Sequence, residues 1–473
     1  MSNVILLEFN ELTPAVMDRF IAQGHLPAFK RLRDESVAAV TDAGEDPPYL
    51  EPWIQWVTVH TGLSYADHKV FDLGDGPKLE APRIWDMISD AGRAVWVCGS
   101  MNAAVRGNAI RGHVLPDPWS TGLRPIPETE FAAFFDFVRT YVQEYTRDKP
   151  PLAKSDYLRF VRFMVSHGLS LRTVTDAIRQ LAGERSGLGK WRRAAVLDDL
   201  MFDVFRHDYQ RLRPALATFF LNSTAHYQHY YWRNYDPAAF ALAPDDGAQQ
   251  EYGDAMLFGY QKMDALLDRT LQMAGPDTTV ILCTALGQQP LTGYDEDGGK
   301  MLFKPLDTAA LLRFAGVAEP YTIAPVMAEE FRLYFPDAAA AEAAEAQLAT
   351  LTIDGKPVLK VRRTEAELYA GCDVIAPPAA DALIVAGGSN EPRRFADLFY
   401  PIDSGVKSGM HHRDGILWIR TPGVAPSVIE RSVSLQEIAP TVLALCGVDA
   451  PVAFAMPPMP EVVVPATAQL RAA

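Results

Sequence analysis

Five short, almost unbroken apolar runs punctuate the chain: Val4-Ile-Leu-Leu7, Ala94-Val-Trp-Val-Cys98, Ala217-Thr-Phe-Phe-Leu221, Thr279-Val-Ile-Leu-Cys283 and Gly415-Ile-Leu-Trp-Ile419. Each is too short for a helix and apolar at consecutive positions, so it reads as a strand buried on both faces. Helical periodicity runs between them, over Pro14 to Glu35 and Ile84 to Ala91, and polar loops follow the strands. The pattern predicts an α/β fold with a doubly wound, mostly parallel sheet, in which ligands sit just past the carboxyl ends of the strands.

The alternation is interrupted twice. Residues 128–213 are dominated by long amphipathic stretches such as FAAFFDFVRTYVQEY and YLRFVRFMVSHGL, which read as a helical cap inserted into the core. Residues 318–377 include AAAAEAAEAQLATL and LTIDGKPVLKV, the latter a hairpin through Asp354-Gly355, and read as a small α+β insert. The core is then assembled from 1–127, 214–317 and 378–450, with a Pro/Ala/Val-rich extended tail over 451–473 and no internal repeat.

Charge narrows the partners. With 44 Lys+Arg against 59 Asp+Glu the formal charge is −15, so the chain repels polyanions and no nucleic-acid partner is expected. No apolar run is long enough for a membrane span. The start, MSNVILLEFNELTP, lacks a basic segment before its apolar run, and Cys98, Cys283, Cys372 and Cys446 show no CxxC spacing. Both features suit a cytoplasmic protein with free thiols.

Polar residues converge where the strands end. The segments are Glu8-Phe-Asn10-Glu11, the loop Tyr49 to Gly62, Asn222 to Trp232, Gln288-Gln289, and Gly409-Met-His-His-Arg-Asp414. Such convergence is the anatomy of an active site. One segment is odd: TALGQQP, residues 284–290, delivers Ala285 and Leu286 where a binding or reacting group would stand.

The order and wording of these segments resemble the alkaline phosphatase superfamily, in its type I phosphodiesterase/nucleotide pyrophosphatase-like branch. The matching stretches are Asn10-Glu-Leu-Thr-Pro14, Gly24 to Leu32, Trp56 to Gly62 with His68 to Asp72, Gln228-His229 with Trp232, Thr284 to Gly287, Gly409-Met-His411 with Gly415-Ile-Leu, and Glu437 to Gly447. They cover the core but neither insert. The resemblance implies an alkaline phosphatase-like core and phosphoester chemistry with two metal ions, usually zinc, and a Thr or Ser nucleophile. Residue by residue, the first Asp ligand falls on Asn10, the nucleophile on Pro52 beside Glu51, another Asp on Ala225, and an adjacent Asp-His pair on Ala285-Leu286. His229 and His411 remain, two of the six metal-ligand positions, so the superfamily's two-metal site is not expected.

The same loops are nevertheless dense in Glu8, Glu11, Glu51, Trp53, Gln55, Trp56, His60, His226, Gln288, His412 and Arg413, which points to a rebuilt pocket rather than a decayed one. His226 and His229, at i and i+3, share a helix face, and with His411 and Glu8 they form a candidate site for one Zn²⁺ or other transition metal. Without a metal, His229, His226 or His411 serves as general acid/base, with Glu51 as orienting group or nucleophile and Arg413 neutralising an anion. Asn10, Trp53, Trp56, Gln288 and His412 are the candidate substrate contacts, for a small sugar- or nucleotide-like molecule. No nucleotide cofactor motif is evident. The expected function is hydrolysis or group transfer on a phosphorylated or otherwise activated small-molecule ester. The alternatives are a non-catalytic pseudoenzyme that binds a phosphorylated ligand or partner, and a metal-independent acid/base enzyme of another reaction class.

Overall fold

In chain order the strands that carry the site are β1 (Asn3–Phe9), β2 (Val37–Asp42), β3 (Val95–Cys98), β4 (Gly112–Leu115), β5 (Leu216–Leu221), β6 (Thr278–Cys283), β7 (Gly287–Pro290), β8 (Gly409–His412) and β9 (Asp414–Arg420). They are seen in a computed structural model that describes residues 3–120, 122–142, 152–184, 189–327, 329–387, 391–402, 406–450 and 454–463. Of the tail expected over 451–473, residues 451–453 and 464–473 lie outside the described residues.

The central sheet runs β2-β9-β6-β1-β5-β3-β4, with short strands Ser427–Val428 and Val433–Ser434 beside β2. β1 pairs parallel with β5 and β6, and β3 pairs parallel with β4 and β5. Only β9 runs against its neighbours β2 and β6. The fold is therefore mixed α/β with a mostly parallel sheet.

Alternation within β1 shows why the sheet is covered twice. Ile5, Leu7 and Phe9 face a layer containing Phe20, Phe29, Phe202 and Tyr260, whereas Val4 and Leu6 face Trp56, Trp85, Ile88 and Val442. Burying each such aromatic side chain contributes about 1.5–3 kcal/mol, which makes two-sided burial the stable arrangement for strands with no polar face.

Among the described residues of the 128–213 region are the α-helices Glu128–Val142, Lys154–Ser166, Leu171–Gly183 and Ala194–Leu212. The last packs on the sheet itself, with Phe205 stacked on Phe219 of β5 at 4.4 Å between ring centroids. In the 318–377 region a four-stranded antiparallel sheet carries the helix Ala338–Leu348 over a separate apolar core. Its Asp354-Gly355 turn has both residues at positive φ, 51° and 78°, joining strands Thr352–Ile353 and Lys356–Pro357. No helix among the described residues is long and apolar enough to cross a membrane.

Candidate active site

β1, β5 and β6 are adjacent, so their carboxyl ends form one ledge. Antiparallel β9 enters the sheet at the edge where its parallel neighbours leave it. Residues just before β9 therefore join the same ledge, and they form β8, paired antiparallel with β7 so that His411 lies opposite Gln288. The helix Ser223–Tyr235 leaves the end of β5 and brings His229 in from the other side.

These elements place Glu11, His229 and His411 with one ligand atom each within 4.8 Å of the others. Glu11 follows β1 with φ at 63°, and its amide donates to the Thr284 carbonyl at 3.2 Å. The left-handed backbone turns the side chain out of strand register and toward the histidines. Its Oε2 lies 3.3 Å from His229 Nε2 and 3.5 Å from His411 Nε2. Behind each imidazole is a partner for the other nitrogen. His229 Nδ1 is 3.0 Å from the Gly409 carbonyl, and His411 Nδ1 is 3.4 Å from Glu51 Oε2. Holding Nδ1 from behind is how proteins aim Nε2 at a metal or a proton.

A shell of amides steadies the carboxylate. Gln288 Nε2 donates to Glu11 Oε2 at 2.5 Å, and Asn10 Nδ2 donates to Oε1 at 2.7 Å. Gln228 Nε2 donates to the Glu11 carbonyl at 2.7 Å, while its Oε1 accepts from Tyr260 at 2.8 Å. Gly409 is required where β8 crosses this shell, because a Cβ there would stand 2.3 Å from the Gln228 carbonyl oxygen.

The charges follow from burial and these contacts. Burial alone would raise the Glu11 carboxyl, but His411, His229 and the Gln288 hydrogen bond outweigh it and hold the group at about 2. Burial lowers His411 to about 4 against the pull of Glu11, so this imidazole is neutral near pH 7. Burial lifts Glu51 to about 8, with Lys407 opposing and Glu11, Glu330 and Glu329 adding. Glu51 therefore carries a proton beside His411 at neutral pH.

One carboxylate and two imidazoles, each imidazole steadied through its second nitrogen, suit a single transition-metal ion with open positions. Ala225, Ala285 and Leu286 are all buried and carry no donor atom in their side chains. That is the role of TALGQQP here: Ala285 turns at φ 58°, Leu286 packs inward, and Gln288 supports Glu11. Among the described residues one other His/Asp/Glu group is as close-knit, namely His113, Glu130 and Asp208. There the Arg211 guanidinium already lies 2.6 Å from Glu130, 2.7 Å from Asp208 and 3.2 Å from His113, and supplies the cation.

Several residues expected at the site stand elsewhere. Glu8 is not a third ligand: strand alternation sends it to the opposite face, where its Oε1 meets His60 Nε2 at 2.8 Å with both side chains buried. His226 does not join His229 and His411; its ring lies on Tyr230, 4.9 Å between centroids. Arg413 turns away to Asp42 at 3.0 Å and Asp46 at 3.4 Å, and His412 Nδ1 accepts from the Asp414 amide. Trp56 is fully buried and donates to Asn10 Oδ1 at 2.8 Å, so it positions Asn10 rather than facing a ligand. Trp53 donates to the Phe71 carbonyl. Asn10 and Gln288 both sit against Glu11. Glu51 is extended, as a residue before proline should be, and Pro52 opens the helix Pro52–Thr61.

Beside the cluster lies a cavity of about 880 Å³ between the ends of β3, β4 and β5 and the helices Glu128–Val142 and Ala194–Leu212. Its walls are largely apolar, with Phe134, Phe135, Val138, Leu197, Met201 and Phe220 prominent. Charged and polar residues also line it, among them Asp117, Lys190, Arg193, Asp198, Ser223, His226 and Glu251. Burial raises Asp117 and Asp198 to about 7, and Asp198 accepts the Ser223 hydroxyl. Asn222 lines the cavity and its Oδ1 accepts from Asn10 at 2.7 Å, which joins cavity to cluster. A helical insert walling off a pocket over the strand ends is what the sequence leads one to expect; Glu11 as a member of the His229–His411 cluster is not, although its position just past the end of β1 was an available signal.

No family model and no curated protein sequence matches the chain. Solved structures do. The chain is similar to murine ectonucleotide pyrophosphatase/phosphodiesterase 5 at 11% identity and a TM-score of 0.42, over 97% of each chain. It is similar to the human protein of that name at 11% identity and 0.44, over 97% of this chain and 96% of that one. Phosphonoacetate hydrolase from Sinorhizobium meliloti 1021 is similar at 12% identity and 0.37, over 95% and 96%. At such identities and scores the likeness assigns no role to any residue.

Proposed function

We propose that the chain is a single-metal enzyme acting on a phosphorylated or otherwise activated small-molecule ester, by hydrolysis or group transfer. The observation that carries this reading is the Glu11–His229–His411 cluster at the carboxyl ends of adjacent strands, with each imidazole held from behind. A divalent ion held by these three residues would supply Lewis-acid polarisation of the ester oxygen. The remaining work falls to the chain. Glu11 stays anionic and is kept in place by Gln288 and Asn10. With Nε2 of His411 turned to the ion, its Nδ1–H would face Glu51 Oε2, 3.4 Å away, so Glu51 orients the ring from behind. The adjoining apolar cavity accepts the bulky part of the substrate and excludes water from it.

The test is elemental analysis of protein purified without chelators, followed by assay on 4-nitrophenyl phosphate and bis(4-nitrophenyl) phosphate. About one equivalent of zinc, manganese or iron is expected, and about a tenth of that or less in Glu11→Gln and His229→Ala. Metal-free protein that turns over neither ester even after reconstitution would sink the reading. The line Glu51–His411–Glu11 also favours a second one, proton transfer by these residues without metal. Activity would then survive chelation and be lost in Glu51→Gln.

A further inference from the structure

The helices Lys154–Ser166 and Leu171–Gly183 are apolar on the side that faces away from the protein. In the first, Phe163 and Met164 point inward, and Phe160 stacks on Phe137 with 4.1 Å between centroids. Tyr157, Leu158, Val161 and Val165, spaced i, i+1, i+4 and i+8, make a second stripe that is 51%, 71%, 51% and 67% exposed. The second helix is inverted. Thr173 is buried and Gln180 donates to Glu184 and to the Gly189 carbonyl, so its polar side meets the protein. Leu171, Ile178 and Leu181 are 85%, 61% and 58% exposed. Four residues join the helices, and the highly exposed Val165 and Leu171 flank the turn. An ordinary surface helix is built the other way round.

Charge identifies what such a surface fits. Residues 154–183 carry Lys154, Arg159, Arg162, Arg172 and Arg179 against Asp156 and Asp176, in a chain whose formal charge is −15. Arg159 pairs with Asp156 and Arg179 with Asp176, both with exposed side chains, which leaves three basic residues in excess: Lys154, Arg162 and Arg172. Basic residues beside an exposed apolar stripe complement an anionic lipid surface, where the stripe enters the acyl boundary and the cations meet the headgroups. A second copy of this chain is the poorer partner, because a symmetric contact would set one basic face against another.

We propose that the outer face of these two helices is a docking surface for an anionic bilayer. The proposal does not depend on the metal or on any turnover. It is tested by flotation of the full-length protein with vesicles of phosphatidylcholine containing phosphatidylserine, and with vesicles of phosphatidylcholine alone. Recovery with the anionic vesicles, weakened by salt, is expected, together with a loss of about ten-fold or more in Val165→Asp/Leu171→Asp. Both side chains are exposed, so the double variant should keep the wild-type circular dichroism and melting point. No recovery with anionic vesicles would overturn the proposal, as would recovery that the double variant leaves unchanged. So would a dimer in sedimentation that the same variant dissociates, since the face would then be a protein contact.

Discussion

Glu11 and Glu51 approach His411 from its two ring nitrogens and titrate in opposite directions. For Glu51, ordinarily near 4.5 and about 8 when folded, the native state binds more protons than the unfolded chain between those values. Stability therefore falls as pH rises through that window. Glu51→Gln cannot ionise, and in chelator-treated protein it is expected to gain about 1–2 kcal/mol over wild type at alkaline pH and little at pH 5, read by urea unfolding. Glu11 has the reverse sign. Its contribution is complete above 4.5 and is lost as pH falls toward about 2. Glu8 and His60 form a separate buried hydrogen-bonded pair on the other face of β1. His60→Ala should cost about 1–3 kcal/mol, because it leaves the buried Glu8 carboxyl without its hydrogen-bond partner. Loss of cluster function with full stability would contradict that structural role.

At the scale of elements, the β7–β8 ribbon sets the distance between His411 and the Glu11 shell. A methyl group at position 409 would press on the Gln228 carbonyl and on Gln288 Oε1, 2.5 Å away, and so lift the ribbon. Gly409→Ala should therefore weaken metal binding by about 10-fold or more and cost about 1–3 kcal/mol of stability. Titration calorimetry and thermal unfolding read the two effects separately. The strands behind this ribbon were legible in the sequence because two-sided burial leaves contiguous apolar runs, as in Thr279 to Cys283. His229 and His411 were legible because each follows or precedes such a run. The third member of the cluster was not. Choosing Glu11 over Glu8 depends on which face of β1 each side chain takes and on one left-handed backbone angle, and neither is fixed by residue type. Trp56 was misplaced for a related reason: an indole near the strand ends can serve the core or a ligand, and only the helix Pro52–Thr61 decides.

At the scale of the molecule, the cavity beside the cluster exists because helices from the 128–213 region wall off the ends of β3, β4 and β5. Leu197→Trp fills part of that space without touching the cluster. For bulky aryl or alkyl esters kcat/KM should fall about ten-fold, mainly through KM, while the smallest ester turned over is unaffected. Equal loss on large and small esters would mean that the cavity does not receive substrate.

Among the described residues β9 alone joins β2 to β6 in the central sheet, and it lies at residues 414–420. During synthesis more than four hundred residues therefore emerge before the sheet can close, and the histidine of β8 arrives in the same step. A nascent chain stopped before Gly409 has neither a continuous sheet nor His411, so the sheet and the Glu11–His229–His411 cluster are completed together, by the last part of the core to be made.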